Sequence, residues 1–156
     1  MEEIEYEVIS SFADSFCETI SSMTSLKVER FESGQGKIEE TPVFQVLMGF
    51  HGGISGYVGI RCSVACLLRF YERYLGEKPE ALDEDVLDGI KELAGIIGGA
   101  AAAKVQDLKL QFSAVVSGLC SEQFSHIPSE ALAVGINYFV DQCGVFSLEI
   151  HQRKLA

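Results

Sequence analysis

Apolar residues recur every fourth position at the start of the chain, where Ile4, Val8, Phe12, Phe16 and Ile20 are separated by polar and acidic residues. That spacing predicts an amphipathic helix over residues 4–25 with one buried stripe. The pattern then changes period. Leu26 to Glu32 alternates and runs into the turn-forming Ser33-Gly34-Gln35-Gly36, which predicts a strand followed by a loop. Two further strands are expected at Val43–Phe50 and Gly56–Cys62, joined as a hairpin through His51-Gly52-Gly53-Ile54-Ser55. A second helix is expected over Ser63–Leu75, with Ser63 as N-cap and Gly76 as its stop before Pro79.

The longest helical pattern runs from Asp83 to about Asp107, with acidic residues in its first turns, where they complement the helix dipole. Strand patterns return at 108–118, 131–143 and 145–152, with a loop carrying His126-Ile127-Pro128 between the first two. Each half therefore reads as a helix followed by a three-stranded antiparallel meander. Residues match between the halves: Val8 and Phe12 with Val86 and Ile90 at a shift of 78, Leu26-Lys27-Val28 with Leu108-Lys109-Leu110 at 82, and Gly56-Tyr57-Val58 with Gly144-Val145-Phe146 at 88. The expected fold is an α+β domain spanning 1–156, a pseudo-twofold repeat with halves of about 1–78 and 79–156.

Composition narrows the functional classes. The 156 residues are one domain's worth, 47% hydrophobic and 22% charged, which suits a globular chain with a real core. Twelve basic residues against 23 acidic ones leave a net charge of −11. Such a surface repels nucleic acid and anionic membranes, so neither is an expected partner. The apolar stretch 93–103 is far short of the ~20 residues that cross a bilayer, and the acidic N-terminus lacks the basic start of an export signal. A cytoplasmic location is expected. It fits five cysteines, Cys17, Cys62, Cys66, Cys120 and Cys143, read as reduced and mostly buried thiols.

Candidate chemistry concentrates on the third helix. At about 100° per residue, Val86, Ile90, Leu93, Ala94, Ile97 and Ala101 share one side, the expected core side. Asp85, Asp88, Glu92, Gly95 and Gly99 fall opposite, with Ile96 at the margin. Each glycine inside a helix costs about 1 kcal/mol relative to alanine, so Gly95, Gly98 and Gly99 require a reason. Close packing is the expected one for Gly98. For Gly95 and Gly99 it is a smooth face that lets a partner approach beside Glu92. No metal site is expected: Cys62 and Cys66 have no further ligand pair nearby. His51, His126 and His151 are scattered, and Gly36-Lys37 lacks the flanking residues of a phosphate-binding loop.

Glu92-Leu93-Ala94-Gly95-Ile96-Ile97-Gly98-Gly99, central in a long helix of the second half, resembles the signature helix of the CheX and CheC chemotaxis phosphatases. Gly53-Ile54-Ser55-Gly56-Tyr57-Val58 and Phe112-Ser113-Ala114-Val115-Val116-Ser117-Gly118 are similar to flanking stretches of that family, and the single signature is closer to CheX than to CheC. The resemblance implies docking on the receiver domain of a CheY-like response regulator and hydrolysis of its aspartyl phosphate. It also implies a homodimer and no cofactor of its own, because the receiver brings Mg²⁺. In the family helix a Glu pairs with the receiver's Lys, and an Asn three residues later orients the attacking water.

Glu92 matches the Glu and Gly99 a later family glycine, but Gly95 stands at the Asn position. The equivalent pair in the first helix, Asp14 and Cys17, lacks the amide as well. The catalytic positions are thus Glu92 and Gly95, the partner-binding positions are Asp85, Asp88, Glu92, Ile96 and Gly99, and hydrolysis is expected to be weak or absent. A non-catalytic dimeric interaction module of signal transduction is the alternative. A hot-dog thioesterase using Asp88 or Glu92 fits less well, because of the two-copy pattern and the second helix.

Overall fold

A computed structural model describes residues 6–31, 38, 40–119 and 132–152. Ile4, the 33–36 loop, Cys120 and the His126–Pro128 loop lie outside the described residues. The chain runs α1 (Tyr6–Thr24), β1 (Val28–Phe31), β2 (Val43–His51), β3 (Gly56–Ser63), α2 (Val64–Leu75), α3 (Glu84–Lys104), a short 3₁₀ turn (Gln106–Leu108), β4 (Gln111–Leu119), β5 (Leu132–Val140) and β6 (Gly144–Gln152). The result is α+β, as expected. The caps are also where the residue types place them. Ser63 Oγ accepts from the Cys66 N–H at 2.9 Å, and Gly76 takes the left-handed conformation that ends α2, with φ 82°.

All six strands form one antiparallel sheet in the order β1-β5-β6-β3-β2-β4. The expected meanders are corrected here. β2–β3 and β5–β6 are hairpins, but β1 pairs with β5 and β4 with β2. Hairpin loops are about 2–5 residues long, whereas residues 32–42 and 120–131 separate β1 from β2 and β4 from β5. Connections of that length leave the strand free to pair with the other half's hairpin. The strand order is unchanged when β1, β2 and β3 are exchanged with β4, β5 and β6. The central ladder pairs Ile60 with Leu148, residues equivalent at the sequence shift of 88.

Along the strands, apolar residues alternate toward one face. Phe44, Val46, Met48 and Phe50 on β2, Val58, Ile60 and Cys62 on β3, and Phe146, Leu148 and Ile150 on β6 are all buried. The helices cover that face. Phe12 of α1 meets Phe50, Phe16 meets Tyr138 and Phe146, and Phe70 of α2 meets Phe146, with ring centroids 4.8–6.1 Å apart. The predicted stripe of Val8, Phe12, Phe16 and Ile20 is wholly buried. α1 and α3 lie side by side, tied at one end by Lys104 Nζ to Glu18 Oε2 at 2.9 Å.

The third helix ends sooner than its pattern suggests, at Lys104 rather than near Asp107. Lys109 adopts a left-handed conformation (φ 49°) that turns the chain into β4. The turn is tied to the β2–β3 hairpin, where the Gly53 N–H donates to the Leu108 carbonyl at 2.7 Å. A side chain on Gly52 would strike the carbonyls of Leu108 and Lys109, so that close approach requires glycine.

Candidate functional site

The start of α3 is capped by Asp83, whose Oδ1 accepts from the Val86 N–H at 2.9 Å, with Glu84 and Asp85 in the first turn. From that start the helix presents two unlike sides. Val86, Ile90, Leu93, Ala94, Ile97, Gly98 and Ala101 are buried. Asp85, Asp88, Glu92, Gly95, Ile96 and Gly99 are exposed, Ile96 by 46%. All six residues expected to form the site therefore share one solvent face.

The glycines on this helix divide by what surrounds them. A side-chain carbon built at Gly98 would stand 2.6 Å from Met48 Cε and 3.2 Å from Phe112 Cζ, which is the close packing expected there. At Gly95 and Gly99 such a carbon meets nothing within 4 Å. Their lack of a side chain is not imposed by packing within this chain. Next to Glu92, then, the helix offers bare backbone to whatever approaches, with an isoleucine on one flank and carboxylates toward its N-terminus. That surface can receive a basic group and a closely apposed backbone. It holds no side chain at position 95 able to orient a water.

The periodicity of α3 did not reveal its neighbour on α2. The Tyr71 phenol packs against Gly89, one turn before Glu92. Burial, then the neighbouring Tyr74 and Glu92, push the Tyr71 phenol above the ordinary tyrosine range, so it stays a neutral hydroxyl beside the acidic face. Along the sequence Tyr71 carries no more signal than the other buried residues of α2, Cys66, Leu67 and Phe70, which form one apolar stripe with it. Which helix that stripe meets is a tertiary fact.

The equivalent positions on α1 behave as packing. Asp14 is exposed, while Cys17 is half-buried, its thiol raised mainly by burial and opposed by a hydrogen bond with Tyr138. Cys62, Cys66 and Cys143 are buried and form no disulfide, and among the described residues no three His, Cys, Asp or Glu side chains gather as a metal site. His151, scattered in sequence, is buried on the sheet face away from the helices. Its Nε2 lies 3.3 Å from Glu149 Oε2, and Glu149 Oε1 accepts from Arg61 Nη1 at 3.2 Å. A cavity of about 400 Å³ lies between α2 and the β5–β6 turn, lined by Glu40, Ser63, Arg69 and Gln142 among others, with no residue of α3. There Arg69 is held by Glu40 at 2.7 Å and by the Cys143 carbonyl at 2.7 Å. No described helix is long and apolar enough to cross a membrane.

Residues 44–119, from β2 through β4, match the family model of the chemotaxis phosphatase CheX. No curated protein sequence matches the chain significantly. Among solved structures, CheX from Vibrio vulnificus superposes with a TM-score of 0.80 at 19% identity, covering 97% of this chain and 100% of that one. A CheC-like superfamily protein from Shewanella sp. PV-4 gives 0.79 at 20% identity, with 97% and 100% covered. A chain of the CheX-CheY-BeF3-Mg²⁺ complex from Borrelia burgdorferi gives 0.77 at 16% identity, again with 97% and 100% covered.

Proposed function

Since residues 44–119 match the chemotaxis phosphatase CheX model and the chain has the fold of CheX and CheC-like proteins, we propose that it docks on the receiver domain of a CheY-like response regulator through the exposed face of α3. The observation that carries this reading is the placement of Asp85, Asp88, Glu92 and Ile96 on one solvent face, with open space above Gly95 and Gly99. A flat acidic helix face with a bare backbone suits a protein surface carrying a basic residue. Glu92 is the group that would meet the receiver's active-site lysine, as in the family this chain resembles.

Aspartyl-phosphate hydrolysis on this surface is weak or absent. The chemistry in such a pair is mostly positioning: the receiver brings the phosphoryl group and Mg²⁺, and the docked helix holds the attacking water in line. CheX is found with CheY, BeF3 and Mg²⁺ in the Borrelia burgdorferi complex, which supports a partner-borne Mg²⁺. Here the position that would hold the water is Gly95, which has no side-chain amide. That absence favours the second reading, a non-catalytic interaction module that occupies the phosphorylated receiver. We further propose a cytoplasmic homodimer, with residues 1–156 acting as one unit of two related halves, about 1–78 and 79–156.

The docking reading is tested by titrating purified receiver domains, loaded with Mg²⁺ and beryllofluoride, against the parent protein and Glu92→Lys at low and high salt. The expected result is binding that weakens with salt and falls at least tenfold in Glu92→Lys. Equal affinity of the two proteins for the receiver that binds would place docking elsewhere.

A further inference from the structure

The C-terminal end of α2 exposes two large apolar residues in succession, Tyr74 by 43% and Leu75 by 58%. Tyr74 does not project freely. Its ring stacks on Phe70, with centroids 6.2 Å apart and planes 12° apart, and meets Tyr71 edge-on at 6.3 Å. Phe70 is itself anchored on Phe146 of the sheet. Tyr74 is thus a half-exposed ring held in place from below, so ordering it on binding costs little entropy.

Its position relative to α3 follows from a chain of contacts. Tyr74 touches Tyr71, and the Tyr71 phenol packs against Gly89, one turn from Glu92. The apolar end of α2 and the acidic face of α3 are therefore neighbouring parts of one surface. Building on the α3 reading, we propose that Tyr74 and Leu75 form the apolar half of the same receiver-docking surface.

The occupant is a receiver domain rather than a second copy of this chain. The contact chain from Tyr74 through Tyr71 leads to Gly89, one turn from Glu92 on the acidic face of α3, and two copies of a chain with net charge −11 would bring like charges together there. A partner that presents a basic residue beside apolar side chains complements both halves. Electrostatics then supplies steering and salt dependence, while the Tyr74–Leu75 contact supplies affinity that salt does not screen.

The experiment compares Leu75→Ser, Tyr74→Ser and Glu92→Lys for binding to the Mg²⁺- and beryllofluoride-loaded receiver, with the exposed Tyr6→Ser on α1 as a control. Thermal melting checks each fold. Leu75→Ser carries the test if loss of ring stacking destabilises Tyr74→Ser. Leu75→Ser and Tyr74→Ser are expected to bind about five- to tenfold more weakly with the parent's salt dependence, and Tyr6→Ser to bind as the parent. Parent-like binding by both α2 variants, with Glu92→Lys weakened, would overturn the inference and leave docking through α3 standing. Weakened α2 variants with Glu92→Lys unchanged would support α2 as the docking surface and overturn the α3 reading. Parent-like binding by all three would overturn both.

Discussion

The Tyr71 phenol lies over Gly89 and fills the space a side chain at that position of α3 would need. Two helices that are separate in sequence are thereby brought into contact one turn before Glu92. The glycines of α3 consequently have different reasons for being glycine, and the difference is measurable.

Alanine in a helix interior is favoured over glycine by about 1 kcal/mol where space is open. Gly95→Ala and Gly99→Ala are therefore expected to raise the unfolding free energy by about 0.5–1 kcal/mol each, because nothing lies within 4 Å of the added carbon. Gly89→Ala is expected to lower it, since overpacking against a buried ring costs about 1–3 kcal/mol. Denaturant unfolding of the three variants checks the order. Combining Gly89→Ala with Tyr71→Phe should recover part of the loss, and an additive result would mean that the phenol is not the obstacle.

On the proposed reading, any catalysis turns on position 95. Asn is a somewhat better helix former than Gly, and the space above Gly95 is open, so Gly95→Asn should fold as the parent does. The parent is expected to accelerate receiver dephosphorylation weakly or not at all. With Glu92 docking retained, Gly95→Asn is expected to raise the rate at least tenfold, about 1.4 kcal/mol of barrier. A fast parent would show that another group orients the water. No gain with binding intact would favour the interaction module.

Burial, with the nearby Cys66 adding to it and Arg69 and Arg73 opposing, pushes the Cys143 thiol up to about 11 from an ordinary value of 9.0. The native fold thus keeps the proton longer than the unfolded chain does. The stability linked to this thiol is complete below pH 9 and is lost as pH rises through about 11. The parent should lose more stability between pH 8.5 and 10 than Cys143→Ala does. Parallel pH profiles would show that Cys143 does not carry that slope.

β1 and β4 form the two edges of the sheet, and β4 exposes Leu119 by 62%. An open edge invites pairing with another chain unless it is covered or charged. Light scattering at micromolar concentration is expected to give twice the 17.0 kDa chain mass. A mass of 17.0 kDa up to millimolar concentration would exclude the homodimer.

The sequence by itself determined which side of each long helix is buried, because a 3.6-residue period ties side-chain direction to position. Val86, Ile90, Leu93 and Ala94 could be assigned inward, and Asp85, Asp88, Glu92 and Gly95 outward, before any contact was known. Ser63 and Gly76 marked their helix ends for equally local reasons. Strand partnership was different. The tight β2–β3 and β5–β6 turns made hairpins readable, but residues 32–42 and 120–131 are long enough to permit several pairings, and only the assembled sheet placed β1 on β5 and β4 on β2. The site divides in the same way. Glu92, Ile96 and the missing amide at Gly95 are properties of one helix and were legible along it. That Tyr71 rests on Gly89, and so brings α2 against α3 one turn from Glu92, depends on how the two helices meet, which no local period encodes.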